Sequence, residues 1–514
     1  MDGQGYLASE LAGRNMRAVE RLAPHRLAPG WADQAANGLL YHSPVLSAKT
    51  GISEGQKRAV FAVCLASVIC LTTAPALSWA MLQAVAALFF LSLILFRLSA
   101  AALPARFAPT KPLLQKELPV FTILAPVYRE AAVLAQLTRA LSAIDYPPQL
   151  LDIKIIMEAD DHETIQAARQ LVFDSRFEIV IVPSGTPRTK PRALNYALTF
   201  ARGDIVTVYD AEDVPHPGQI RAAAEAFAAG DEKLGCVQAP LNWYNHDRNW
   251  LTRQFALEYA VQFHAILPFL ARFDLPLPLG GTSNHFRRAA LNQAGGWDAY
   301  NVTEDADLGF RLARLGYRSD VIAPQTMEEA PENVRPWIRQ RSRWLKGYIQ
   351  TLAVHLRQPS RLSIGAAFSL SITIGAAALS ALLHGPALLL FAGLAMLGLT
   401  DINTPAIGLL LLGYAASMLC GLVAIRRAGL RTRWIDVARM PLYWPLQTIA
   451  AVIALVELHI RPYFWAKTEH GFTKAPEPEC PSPSQSFSSS PQPPPSHFPR
   501  CEPVASRTPR WARA

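Results

Sequence analysis

Charge is scarce in this sequence. Of 514 residues, 17% are charged and 51% are hydrophobic, whereas an ordinary soluble domain is charged at about a quarter of its positions. A wholly water-soluble chain of this size is therefore not expected. Paired cysteines are lacking too. The six cysteines (64, 70, 236, 420, 480 and 501) are scattered, three of them in apolar runs, and none has CxxC spacing. That excludes a disulfide framework and a cysteine zinc site. The first residues, MDGQGYLASELAGRN, lack the apolar stretch of a cleavable leader, so membrane insertion is expected to be directed by an internal span. Nor is there a basic patch interleaved with aromatics. The formal charge of +9 needs no nucleic acid as partner, because basic residues flanking membrane spans supply it.

The apolar residues gather in two blocks, 59–98 and 364–460. Each contains runs of about 17–25 residues, long enough to cross a bilayer as a helix. The first block reads as a hairpin of spans at 59–75 and 77–98. Lys57 and Arg58 precede it, and Arg97, Arg106, Lys111 and Lys116 close it, so both flanks are expected in the cytoplasm. The second reads as 366–383, 387–399, 406–425 and 442–460, with His384-Gly385-Pro386 breaking the first two. If all four cross, the basic stretch Arg426, Arg427, Arg431, Arg433 and Arg439 falls outside. If the first two form one broken span, it moves inside. Five or six spans are thus expected. Ionisable residues are few in mid-membrane, which disfavours a transporter.

The domains read as a loosely ordered arm (1–57), a transmembrane hairpin (58–98), a cytoplasmic domain (118–358), transmembrane helices (364–460), a cytoplasmic segment (461–474) and a disordered Pro/Ser-rich tail (475–514). In the cytoplasmic domain, short runs rich in β-branched residues alternate with helical stretches. VFTILAP (120–126) is followed by a helix at 130–144, IKIIM (153–157) by a helix through 171, then FEIVIV (177–182), a helix at 192–202 and IVTVY (205–209). That alternation predicts a mostly parallel α/β sheet with ligands at the carboxyl ends of its strands. Two strands end in acids: Asp160-Asp161, and Asp210-Ala211-Glu212-Asp213. Three carboxylates in four residues repel one another unless a cation lies between them, and Mg²⁺ or Mn²⁺ holding a phosphate suits oxygen ligands. An acidic turn is the plainer alternative.

Lys190, in RTKPRALN, places a cation between the two acidic ends. Asp305 follows Thr303 and Glu304 and opens a helix. It reads either as an N-terminal acid favoured by the helix dipole, with Thr303 as cap, or as a general base. Gln340, Arg343 and Trp344, at i, i+3 and i+4, share one helix face. They suit a sugar and a phosphate, or a membrane-surface helix with snorkelling arginines.

The order EADD, TKPRALN, DAED, TED, QRSRW between two membrane blocks resembles the membrane-embedded family 2 glycosyltransferases, which include cellulose synthase catalytic subunits and hyaluronan synthases. The resemblance implies a GT-A domain and an inverting hexosyltransferase working at the inner membrane on a nucleotide sugar, with a glycan or lipid as acceptor. It also implies donor contacts from Tyr128, Glu130, Asp160, Asp161, Lys190 and Asp210. Metal ligands would be Asp210 and Glu212, with Asp213 an alternative, because the family usually has aspartate where Glu212 stands. The base would be Asp305. Glu304, Gly281, Gln340, Arg343 and Trp344 would contact the diphosphate or acceptor, and residues 465–471 stand where related synthases carry a gating segment. No cyclic-dinucleotide-binding barrel is expected after the last span, so regulation or export would involve an accessory protein. A processive synthase coupled to translocation, a transferase of one sugar to a lipid or short acceptor, and a binding-only membrane sensor are the three expectations.

Overall fold

The computed structural model describes residues 19–21, 28–171, 173–398 and 404–465. The expected tail, Cys480, Cys501 and all but the first residue of the 465–471 segment lie outside them.

The domain is built on an eight-stranded sheet. Its strands are β1 (Val19–Arg21), β2 (Phe121–Pro126), β3 (Leu151–Glu158), β4 (Phe177–Val182), β5 (Ile205–Val208), β7 (Leu234–Gln238), β9 (Asn284–Arg287) and β10 (Arg318–Val321), in the order β1-β4-β3-β2-β5-β9-β7-β10. Only β9 runs antiparallel to its neighbours. The strands read as short unbroken apolar runs because both faces are covered. Ile123, Ile155, Ile179 and Ile205 pack on one face, and Leu124, Ile156, Val180 and Val206 on the other. A second small sheet joins β6 (Val214–Pro215), β11 (Thr326–Glu328) and β8 (Leu241–Trp243).

The N-terminal region departs from expectation. Residues 28–57 are docked on the domain instead of forming a loose arm. Helix α1 (Ala28–His42) lies on α4 (Lys190–Leu198). Trp31 meets Phe200 edge-on at 5.6 Å, and Asn195 Nδ2 donates to the Ala35 carbonyl at 2.9 Å. The strap that follows is held by Asp298, which accepts from Ala48 N at 2.5 Å and from Ser47 Oγ at 3.3 Å. Arg357 closes it by donating to the carbonyls of Val45, Ser47 and Gly51. Its polar, Pro- and Gly-containing sequence hides this, since the partners lie far away in the chain.

Among the described residues, five helices are long and apolar enough to cross a membrane. The first two are α2 (Glu54–Thr73) and α3 (Pro75–Ala102). After the domain come α8 (Ile364–Leu370), continuous through a π turn with α9 (Ala376–Met396), then α10 (Thr404–Arg427) and α11 (Met440–Ile460). His384-Gly385-Pro386 does not break its helix, contrary to the expectation. Proline removes a backbone donor, but neighbouring helices can re-satisfy the backbone around it. Here the Thr448 hydroxyl of α11 accepts from Gly385 N at 3.2 Å. Residues 387–396 of the expected 387–399 segment are therefore the second half of one long helix, which ends at Met396.

Helix α7 (Val334–His355) lies between the sheet domain and α11. Both ends of α11 are tied to the domain side. Tyr443 Oη accepts from Trp337 Nε1 at 3.0 Å and donates to Glu258 at 2.8 Å. Glu457, fourteen residues on, pairs with Lys346 at 2.9 Å.

Candidate active site

At the carboxyl ends of β2, β3 and β5 lies a cavity of about 1140 Å³. Its walls include Tyr128, Arg129 and Glu130 after β2, Glu158 at the end of β3, Asp210 and Glu212 after β5, and Lys190 at the start of α4. Gly281, Glu304, Asp305, Gln340, Arg343 and Trp344 complete it. Four separately read motifs thus converge on one space.

The DAED turn divides its carboxylates. Asp210 and Glu212 line the cavity, whereas Asp213 is fully buried. Asp213 accepts from its own turn, Asp210 N, at 2.7 Å, and from the Thr282 hydroxyl. It fastens the turn to the 280–283 loop instead of facing the cavity. Burial, reinforced by Asp210, pushes the Glu212 carboxyl upward. Lys190 pairs with Asp210 and donates to the Gly281 carbonyl at 2.7 Å. Burial alone would depress its ammonium, but Asp210 and Glu304 outweigh it and hold it above its ordinary value.

Asp305 stands in the first turn of α6 (Glu304–Arg314). Thr303 makes no side-chain cap there. Its backbone is held instead by Asn301 Oδ1, which accepts from Thr303 N at 3.0 Å. Burial pushes both Asp305 and Glu304 upward, and Asp305 adds to the effect on Glu304. Gly281 borders the carboxylate: a Cβ there would lie 3.4 Å from Asp305 Oδ2, an ordinary van der Waals contact. On α7, a Cβ at Gly347 would lie 2.7 Å from Thr303 N, so that glycine seats α7 against the loop carrying Asp305.

Gln340, Arg343 and Trp344 face the cavity together, and the next face of α7 packs inward. Arg341, between them in sequence, forms a two-pronged pair with Glu258 at 2.6 Å on each prong. Its guanidinium lies 4.5 Å from the rings of both Phe255 and Trp344. Arg343 lies 4.4 Å from the Trp465 ring, and burial lowers its pKa. Residue 465, the first of the expected gating segment, therefore borders the cavity.

Two expected donor residues stand apart from it. Asp160 pairs with Arg188 at 2.8 Å. Asp161 starts the helix His162–Gln170, accepting from Thr164 N at 3.2 Å, and also takes the Arg129 backbone N–H. Neither side chain lines the cavity, although Tyr128, Arg129 and Arg188 beside them do. The strand turns away one residue earlier, so Glu158 faces in. Burial raises Glu158 to about 7, against the pull of Arg192. Glu328 at the end of β11 also lines the cavity. The sequence held a signal for it: Glu328-Glu329 is a third acidic pair after a short strand.

A mostly parallel sheet whose strand ends carry carboxylates, a lysine and an arginine around one cleft defines a glycosyltransferase domain of GT-A type. Residues 119–347 match the family described as "Glycosyltransferase like family 2", and the chain carries a domain of that family. It is 29% identical over 241 residues to a probable glycosyltransferase, YdaM, of Bacillus subtilis, covering 45% of this chain and 56% of that protein. It is 27% identical over 239 residues to a beta-monoglucosyldiacylglycerol synthase of Trichormus variabilis (46% and 50% covered). Cellulose synthase 1 catalytic subunit of Komagataeibacter xylinus is 27% identical over 246 residues (46% and 32%). The chain spans about half the length of the first curated relatives it matches. Among solved structures, a mannosyltransferase of Pyrobaculum calidifontis in complex with GDP-Man and Mn²⁺ aligns at a TM-score of 0.47, with 19% identity, over 74% of this chain and 97% of that one.

Proposed function

We propose that this protein is an inverting, membrane-bound hexosyltransferase that moves a sugar from a nucleotide donor to a glycan or lipid hydroxyl. The observation that carries this reading is that Asp305 shares one cavity with Asp210, Glu212 and Lys190 on one side and with Gln340, Arg343 and Trp344 on the other.

Tyr128 and Glu130 line the nucleotide end. Lys190 and Arg343 offer positive charge to a diphosphate leaving group. Asp305 takes the proton from the attacking hydroxyl as it meets the anomeric carbon, and a single displacement inverts that carbon. Asp210 and Glu212 suit a hard divalent ion, being two oxygen donors at the cavity wall, already close enough to burden one another. They would hold Mg²⁺ or Mn²⁺, which supplies further charge neutralisation at the diphosphate when bound. Two relatives are named as synthases, one of a glucolipid and one of cellulose, so lipid and glycan acceptors both fit this reading.

The domain faces the cytoplasm of the inner membrane in this reading, with α2, α3, α8–α9 and α10 crossing. Helix α11 is about 31 Å long at 1.5 Å per residue. With both its ends tied to domain side chains, it rests along the domain. The basic stretch before it then lies on the cytoplasmic side, as the positive-inside tendency favours.

Membranes supplied with radiolabelled UDP- or GDP-sugars and Mg²⁺ or Mn²⁺ should release nucleotide and label a polymer or an extractable glycolipid. A chelator should abolish both, and an absence of turnover with every donor would refute the proposal. The acid limb of kcat/KM should lie above the ordinary aspartate value of about 3.9, because burial raises Asp305 and the base must be ionised to act. Glu304→Gln should move that limb down, since removing a neighbouring negative charge favours the ionised base. A limb unmoved in that variant would separate the two groups.

A further inference from the structure

The helix that carries Asp305 has a second charged face. Asp305 and Asp307 stand two residues apart on α6, about 200° around its axis at 3.6 residues per turn. Asp305 lines the cavity, whereas Asp307 does not and is wholly buried. Two groups meet Asp307 there. Arg311, one turn further along α6, pairs with its Oδ2 at 2.6 Å, and His355 Nε2 lies 3.1 Å from its Oδ1. Burial would raise the Asp307 carboxyl, but Arg311 and His355 outweigh it and hold it below its ordinary value.

His355 closes α7, the helix that carries Gln340, Arg343 and Trp344. It too is wholly buried, with its ring 5.6 Å from that of Phe310. A third residue decides where its hydrogen sits. Arg314 Nε donates to His355 Nδ1 at 3.0 Å. A guanidinium only donates, so Nδ1 accepts, and Nε2 carries the hydrogen given to Asp307. Arg311 is fixed in turn, donating to the Gly296 carbonyl at 2.8 Å. The chain Arg314–His355–Asp307–Arg311 thus joins the end of α7 to the back of α6. Nearer the cavity, Val302 N donates to Gln350 Oε1 at 3.1 Å and Asn301 Nδ2 to Thr351 Oγ1 at 3.0 Å. Those contacts set where α6 begins, and the Asp307–His355 contact sets how it is turned. A roll of only about 10° would move a side-chain tip about 5–6 Å from the axis by about 1 Å. A misplacement of that size can cost about 100-fold in rate.

We infer that Asp307 and His355 are positioning residues for the base: together they set the roll of α6, and so the direction in which Asp305 points relative to Lys190 and Arg343. This rests on the transferase reading with Asp305 as base. Neither residue lines the cavity, and both act through Asp305.

The test uses the full-length protein in detergent, with the nucleotide sugar and acceptor it turns over and Mn²⁺. His355→Leu fills much of the same space without the N–H. It should lower kcat at least tenfold while the donor KM, and binding of UDP or GDP to match the donor, stay within twofold. Burial raises Asp305, and Lys190 and Arg343 offset part of that rise. A base turned away from them titrates higher, so the acid limb of kcat/KM should move to higher pH in this variant. A pair that merely stabilises the fold would change the amount of active protein and leave the limb in place. His355→Gln, whose amide can donate to Asp307 and accept from Arg314, should recover most of the rate. If His355→Leu does not accumulate, Arg314→Met carries the test at a half-buried position, because it frees the hydrogen to shift to Nδ1. It should lower kcat severalfold with nucleotide binding intact. An unchanged kcat, an unmoved limb, a His355→Gln as slow as His355→Leu, or a tenfold loss of nucleotide binding would overturn the inference. A wild type inert toward every nucleotide sugar would defeat the transferase reading and this inference with it, whereas an active wild type with an indifferent His355→Leu defeats this inference alone.

Discussion

Asp305→Asn should lower sugar transfer by about three orders of magnitude and leave nucleotide binding nearly unchanged. A positioned general base contributes about 10²–10⁴-fold, and asparagine keeps the shape of the side chain without its basicity. The site makes this a clean substitution. Asp305 is not what fastens the surrounding loop, because Asn301 holds Thr303 and Gly347 seats α7. Calorimetric titration with UDP and Mn²⁺ should match the wild type within a few-fold, while nucleotide release in the presence of acceptor collapses. Retained transfer would remove Asp305 as the base.

Glu258→Ala should carry the largest loss of stability. Arg341 is 7% exposed at its side chain and is neutralised by Glu258 on two prongs. Breaking such a pair from one side leaves an uncompensated buried charge, at a cost of about 3–5 kcal/mol. Glu258 is itself 35% exposed, which places the expected loss near the lower end of that range, about 3 kcal/mol. Thermal unfolding in detergent measures it. Replacing both partners with apolar residues of similar volume, as in Glu258→Leu with Arg341→Met, should restore much of the loss. If the double variant is no better than the single one, the ring contacts of Arg341 outweigh its charge pairing. Activity should fall with stability, because the same guanidinium supports Trp344 in the cavity wall.

Much of the catalytic region was legible in the sequence, and for identifiable reasons. Strands buried on both faces need unbroken β-branched runs, so β3 and β4 declared themselves. Residues 340, 343 and 344 had to share a face if α7 formed at all, and it did. The rest depends on partners that the local sequence does not name. Asp160 and Asp161 stand at a strand end as the donor reading requires, and there one pairs with Arg188 while the other opens a helix. Pro386 marks a break by its local chemistry, but a threonine on another helix makes continuity tolerable. Glu328 was overlooked because an acidic pair after a three-residue strand gains meaning only when β8 brings Trp243 beside it. Residues 28–57 have no periodicity that foretells docking, because their anchors, Asn195, Asp298 and Arg357, lie in other parts of the chain.

That last arrangement sets a timetable for biogenesis. The strap is held by a residue 251 positions downstream. At a synthesis rate of about 5–20 residues per second, its mooring emerges roughly 12–50 seconds after it does. For most of that interval the first hairpin, complete at Ala102, is already available to enter the bilayer, while the strap waits for the domain that will receive it. The enzyme therefore closes late, from its beginning onto its middle. A fragment started at the first strand of the main sheet's catalytic half would be born without its own clasp.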